Sequence, residues 1–130
     1  MADTERSGWL RAVVLAGLAY VVIGFGFARL PGRGWRLAAW AISSIVYLLH
    51  ILYGMNRRRA AGAVAFHAGL AAALGGFGLA VGATIHAVST ATYRGTYGIA
   101  LVAWPVLTGV PACVVAWLIV SALARKLLDR

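Results

Sequence analysis

Four long apolar runs dominate this sequence and limit what it can fold into. They cover residues 8–28, 37–55, 61–87 and 97–123, and short stretches rich in Arg or in Ser and Thr separate them. Each run is long enough to cross the roughly 30 Å hydrocarbon core of a bilayer as an α-helix. None shows the alternation typical of a membrane β-barrel strand. The sequence therefore predicts an all-α integral membrane protein, a single-domain four-helix transmembrane bundle with antiparallel neighbours.

The composition agrees with a membrane location. Hydrophobic residues make up 62% of the chain and charged residues 12%, which leaves too little polar surface to cover a soluble domain of this size. The formal net charge of +9 comes from basic residues at the ends of the apolar runs. Such residues contact lipid head groups, whereas a nucleic-acid-binding domain gathers them on one face. We expect the lipid bilayer as a partner and no nucleic acid.

The distribution of Lys and Arg predicts the orientation in the membrane. Eight of these residues lie in or beside the N-terminal segment, the second loop and the C-terminal tail, and four lie in the first and third loops. Because cytoplasmic segments carry the excess of Lys and Arg, both termini should be cytoplasmic. A bacterial-type inner membrane is the expected location. In the second loop, Arg57, Arg58 and Arg59 are expected to contact lipid head groups.

The ends of the runs predict where helices begin and end. Ser7 is a plausible N-cap for the first helix, and residues 1–7 would form a short polar head. The run that follows is too long for the apolar region of a signal peptide, so we expect it to be retained. Residues 29–36, which contain a Pro-Gly turn signal, are predicted to form the first loop. Residues 88–96 are predicted to form the third.

Two histidines flank the basic second loop at similar distances. His50 precedes it by one to two helical turns and His67 follows it by about as much, so an antiparallel hairpin places both about 10 Å inside the cytoplasmic end. Ser43 and Tyr47 share a helical face with His50, and Tyr53 continues this face by one turn. A polar face in lipid should point into the bundle.

This polar stripe permits three interpretations. The two imidazoles could simply form hydrogen bonds inside a packed bundle. They could instead bind a metal ion or the iron of a b-type haem, although a tight hairpin leaves little room for a porphyrin unless the ligands come from different subunits. They could also belong to a transport pathway. The third histidine, His86, lies at the opposite end of its run and cannot join them.

The third run is rich in small residues on more than one helical face. Gly69 and Gly76 are among the small residues that recur at helical spacing, and Gly78 and Gly82 form a Gly-x-x-x-Gly motif. Small residues let helices approach closely, which drives their packing in lipid. This helix should therefore be surrounded by others, either at the centre of the bundle or in the core of an oligomer.

Two prolines, Pro105 and Pro111, lie near the middle of the fourth run with Thr108 between them. Each removes a backbone donor and crowds the preceding turn. We expect the helix to kink or partly unwind there, and transporters build ion and substrate sites from such broken helices. An ordinary proline kink, with the free groups bonded by Thr108 or a neighbour, is the alternative.

The sequence lacks groups that several activities require. The acids are Asp3, Glu5 and Asp129, all outside the apolar runs, so no buried carboxylate could couple transport to protons. Ser43 with His50 lacks the third partner of a hydrolytic triad. We expect a non-enzymatic structural or accessory protein that forms a homo-oligomer or joins a larger membrane complex. The alternatives are a small transporter or channel along the polar stripe towards Thr108, and a haem b anchor using His50 and His67.

Overall fold

The computed structural model describes residues 2–57, 59–92 and 94–128, and every secondary-structure element in this part of the chain is an α-helix. The four helices are α1 (Ala2–Ala28), α2 (Arg33–Asn56), α3 (Ala61–Ser89) and α4 (Thr96–Leu128). Each is long and apolar enough to cross a membrane. The all-helical architecture with four helices of membrane-spanning length, predicted from the apolar runs, is confirmed.

Two helices begin earlier than the apolar runs indicate. Helix α1 begins at Ala2, so Ser7 lies inside it and is not its N-cap. Helix α2 begins at Arg33, directly after Gly32, whose φ of 111° is accessible to glycine but strained for other residues. The predicted loop of residues 29–36 was therefore too long.

The third loop is also shorter than residues 88–96. Helix α3 continues to Ser89 and α4 begins at Thr96. Hydroxyl groups close the end of α3: Thr90 Oγ1 donates to the carbonyl of His86 at 2.9 Å, and Thr92 Oγ1 donates to that of Ala87 at 3.3 Å. The same two carbonyls also accept the backbone N–H groups of Thr90 and Thr92, so the hydroxyl bonds reinforce a helix end whose carbonyls already have partners.

Helix α3 lies at the centre of the bundle and packs against the other three helices, most extensively against α4 and then α1. A Cβ on Gly69 would lie 2.8 Å from Cβ of Cys113 in α4. Gly76 abuts Thr108 on the same side, whereas Gly78 abuts Val21 of α1 and Gly82 abuts Phe25. The small residues of α3 therefore allow close packing against two neighbouring helices, α4 on one side and α1 on the other.

Helix α2 is the least buried of the four. Its buried residues are Ile51 and Gly54, both near its C-terminal end. Ile51 belongs to an apolar cluster with α3 and α4, formed by Ile51, Val64, Ala65, Ala68, Ala116 and Val120. Trp40, at the other end of α2, is 77% exposed. The helix is thus anchored at the end next to the second loop and presents most of its length outward.

Helix α4 runs without interruption through Pro105 and Pro111, so the partial unwinding considered for the fourth run does not occur. Close packing on α3 explains its continuity. A Cβ on Gly109, between the two prolines, would lie 2.8 Å from Cβ of Ala73 and 3.0 Å from the carbonyl oxygen of Gly69. Contacts this close hold α4 against α3, and such tertiary packing outweighs the low helix propensity of proline.

Candidate functional site: a cleft at one end of the bundle

A small cleft opens where α1 begins, α2 ends and α3 begins. Its empty space, counted together with the solvent at its open mouth, is about 260 Å³. Polar and aromatic side chains from three helices and the second loop meet around it. The residues that line it are Trp9, Ala12, His50, Tyr53, Gly54, Arg59, Val64 and His67.

The cleft brings His50 and His67 together. Both side chains line it and both are half-buried, and the two imidazoles are close enough to interact electrostatically. Their placement follows from the hairpin, since each lies on the face of its helix that turns towards the same corner of the bundle. Tyr53, the last residue of the predicted polar face, lies on the same cleft.

Trp9 fixes the position of His67. The indole and imidazole rings stack with centroids 4.4 Å apart and planes 6° from parallel. A stacked pair of this kind contributes both buried area and a specific ring geometry. Helix α1 thereby holds the imidazole of α3, and the first helix becomes part of the site.

The arginines of the second loop have different surroundings. The Arg57 guanidinium lies over the ring of Tyr53, 5.4 Å from its centroid, in a cation–π contact on the outer side of α2. Arg59 is half-buried, lines the cleft and interacts electrostatically with His67. Arg58, also predicted to contact lipid, lies outside the described residues. Arg59 thus adds a fixed positive charge to the cleft.

Two other members of the predicted polar pathway, Tyr47 and Thr108, lie away from the cleft and bond to backbone. The Tyr47 hydroxyl donates to the carbonyl oxygen of Ala112 and so joins α2 to α4. Thr108 Oγ1 lies 3.2 Å from the carbonyl oxygen of Ala72 in α3 and 2.8 Å from that of Trp104 in its own helix. Ser43 is half-buried and does not line the cleft. His86 is exposed at the far end of α3.

The geometry of the hairpin bears on the haem hypothesis. A Cβ on Gly54 would lie 3.0 Å from Cγ1 of Val64, so α2 and α3 are in direct contact within about one turn of both histidines. This contact leaves little room for a porphyrin between His50 and His67 of one chain. Haem binding, within one chain or between two, stays a prediction. Among the described residues, no three His, Cys, Asp or Glu side chains come together as a metal site.

Two residues of the interior were not singled out from the sequence. Trp9 has the pattern of an ordinary interfacial tryptophan, and its stacking on His67 depends on the rotation of α1, which spacing does not give. Tyr20 has a buried hydroxyl with no hydrogen-bond partner among the described residues, and it interacts electrostatically with Tyr47. The sequence feature that could have identified Tyr20 is its polar hydroxyl inside an apolar run.

Family models, curated proteins and solved structures were all compared with the chain, and none of them matches it.

Proposed function

We propose that the protein is a non-enzymatic membrane protein whose four helices cross the bilayer and which serves as a structural or accessory component. It acts as a homo-oligomer or within a larger membrane assembly. The observation that carries this proposal is that polar side chains inside the bundle form hydrogen bonds with the backbone. The Tyr47 hydroxyl donates to a backbone carbonyl of α4, and Thr108 Oγ1 lies within hydrogen-bonding distance of a carbonyl of α3 as well as of one in its own helix. In lipid, such bonds stabilise helix association.

The apolar surface supports an assembly in the membrane. Large hydrophobic side chains are exposed along all four helices, including Trp40, Leu37 and Leu15. A soluble monomer seldom exposes contiguous apolar patches larger than about 300–600 Å². In a bilayer, lipid chains or partner helices cover such a surface, and 130 residues enclose little volume of their own.

The orientation follows from the basic residues. With both termini in the cytoplasm, the eight-to-four distribution of Lys and Arg obeys the positive-inside rule. The second loop and the cleft then face the cytoplasm. An inner membrane of bacterial type is the proposed location, with Arg57 and its neighbours at the level of the lipid head groups.

Reconstitution into liposomes tests the structural role against transport. The structural role predicts that vesicles holding the protein keep an imposed proton or potassium gradient as long as protein-free vesicles do. A pathway along Ser43, Tyr47, His50 and His67 towards Thr108 predicts instead a leak that changes in Thr108→Val. Such a leak, with the variant still folded, would contradict the proposal.

An absorption spectrum of the same preparation, oxidised and then reduced with dithionite, tests the haem alternative. The structural role predicts no band in the Soret region. A Soret band that disappears in both His50→Ala and His67→Ala would support a haem anchor instead, with ligands supplied by two chains.

A further inference from the structure

We propose that the cleft between α1, α2 and α3 binds a phosphate group, presented by a lipid head group or as a free phosphate ion. This binding site goes beyond the structural role proposed above. It rests on the donors that line the cleft, on the sign of its charge and on its place in the bundle.

Most of the lining surface is apolar, and the polar side chains within it can all donate hydrogen bonds. Arg59 has five N–H donors and no acceptor, and the Tyr53 hydroxyl and the Trp9 indole can each donate one further hydrogen. Each neutral imidazole, of His50 and of His67, adds one N–H donor. None of the lining residues carries a carboxylate. A ligand with several acceptor oxygens matches these donors.

The charge of the cleft favours an anion over a cation. Arg59 is always protonated and acts electrostatically on His67, which in turn acts on His50. A metal ion bound by the two imidazoles would be repelled by this guanidinium. Arginine also binds phosphate in a bidentate fashion through its planar fork of donors.

The position and size of the cleft fit a phosphate of a lipid. Arg59 lies between the last turn of α2 and the first turn of α3, and Trp9 lies near the start of α1. In a four-span arrangement these residues are at the membrane surface, where lipid phosphates lie and where tryptophan is enriched. Because the space of about 260 Å³ includes the open mouth, a phosphate would bind at the mouth of the cleft, with the rest of a lipid outside it.

Arg57 provides a matched control for Arg59. Both belong to the second loop, two residues apart, and carry the same charge. The Arg57 guanidinium lies over the ring of Tyr53, so Arg57 contacts a lining residue without lining the cleft itself. Replacing either arginine with glutamine changes the net charge equally, so that only a site-specific contact makes the two variants differ.

The test is calorimetric titration of the full-length protein in neutral detergent micelles. The probes are dioctanoyl phosphatidic acid, inorganic phosphate and, as the uncharged-head-group control, dioctanoylglycerol. We expect saturable binding of phosphatidic acid to one site per chain, weakened about tenfold or more by Arg59→Gln and less than about threefold by Arg57→Gln. A leucine at Ala12, which lines the cleft, should also abolish binding without changing the charge.

The outcomes separate the two sources of phosphate. If inorganic phosphate binds with the same dependence on Arg59 and competes with the lipid, the site takes a free anion. If only phosphatidic acid binds, the site takes a lipid head group. Equal weakening by the two glutamine variants, unchanged binding in folded Ala12→Leu, equal binding of dioctanoylglycerol, or no saturable binding would each overturn the proposal.

Discussion

Two tyrosines inside the helices show how a buried hydroxyl acts at the scale of a single residue. The Tyr47 hydroxyl donates to Ala112 across the α2–α4 contact. The Tyr20 hydroxyl is buried without a partner among the described residues. A buried polar group lowers the free energy of the folded state when it is bonded and raises it when it is not. The two phenols should therefore contribute to stability with opposite signs.

Removing each hydroxyl tests this difference. Tyr47→Phe should lower the free energy of unfolding by about 0.6–1.7 kcal/mol, the range measured for hydrogen bonds between membrane helices. Tyr20→Phe should leave it unchanged or raise it by about 1 kcal/mol. Unfolding by SDS in mixed micelles, followed by circular dichroism, measures both variants. An equal loss in the two variants would show that the Tyr20 hydroxyl is bonded in the membrane.

Helical spacing predicts some residues of the site and not others. An antiparallel hairpin with a short basic loop places His50 and His67 at one depth, and the structure puts both on one cleft. Residue spacing within α2 predicts that Tyr47 points into the bundle. It does not predict the hydrogen-bond acceptor of Tyr47, because Ala112 lies in another helix that is distant in sequence. The stacking of Trp9 on His67 depends on how α1 is rotated against α3, which packing alone decides.

At the scale of the helix, the small residues of α3 determine how closely its neighbours approach. Gly69 faces α4 so closely that an added Cβ would lie 2.9 Å from the carbonyl oxygen of Gly109. Gly62, in the first turn of the same helix, has no atom within 4 Å of such a Cβ. The two glycines differ in packing although both are helical.

Replacing each glycine with alanine separates packing from helix propensity. Gly69→Ala should lower the free energy of unfolding by about 1–3 kcal/mol, since backbone and Cβ atoms of α4 must move. Gly62→Ala, the control, should leave it unchanged or raise it by up to about 1 kcal/mol, because alanine is the better helix former. The same micellar unfolding experiment measures both. A Gly69→Ala variant as stable as wild type would contradict the close α3–α4 contact.

The apolar runs predict the existence of all four helices, but not their ends or the continuity of α4 through its prolines. Helix α2 extends to Arg33 because Gly32 supplies the turn, although polar residues follow it. In α4, Pro105 and Pro111 predict a kink or partial unwinding, whereas the helix continues through both prolines and Gly109 between them packs closely on α3. Local sequence specifies which segments are helical, while contacts between helices decide whether a helix stays continuous across a proline.

At the scale of the whole molecule, the proposal depends on four crossings of the bilayer. Only that arrangement gives a role to the exposed apolar surface, to the hydrogen bonds of Tyr47 and Thr108, and to the position of the cleft. Four crossings place residue 7 and the α2–α3 loop on one side of the membrane and the α3–α4 loop on the other. The basic residues assign the first side to the cytoplasm.

Labelling of single cysteines tests this arrangement most directly. Cys113→Ala removes the one natural cysteine, and Ser7→Cys, Asn56→Cys or Thr92→Cys is then introduced singly. A membrane-impermeant maleimide applied to intact bacterial spheroplasts should label Thr92→Cys. It should label Ser7→Cys and Asn56→Cys only after the spheroplasts are permeabilised. Labelling of Ser7→Cys and Thr92→Cys from the same side would contradict the four-span account.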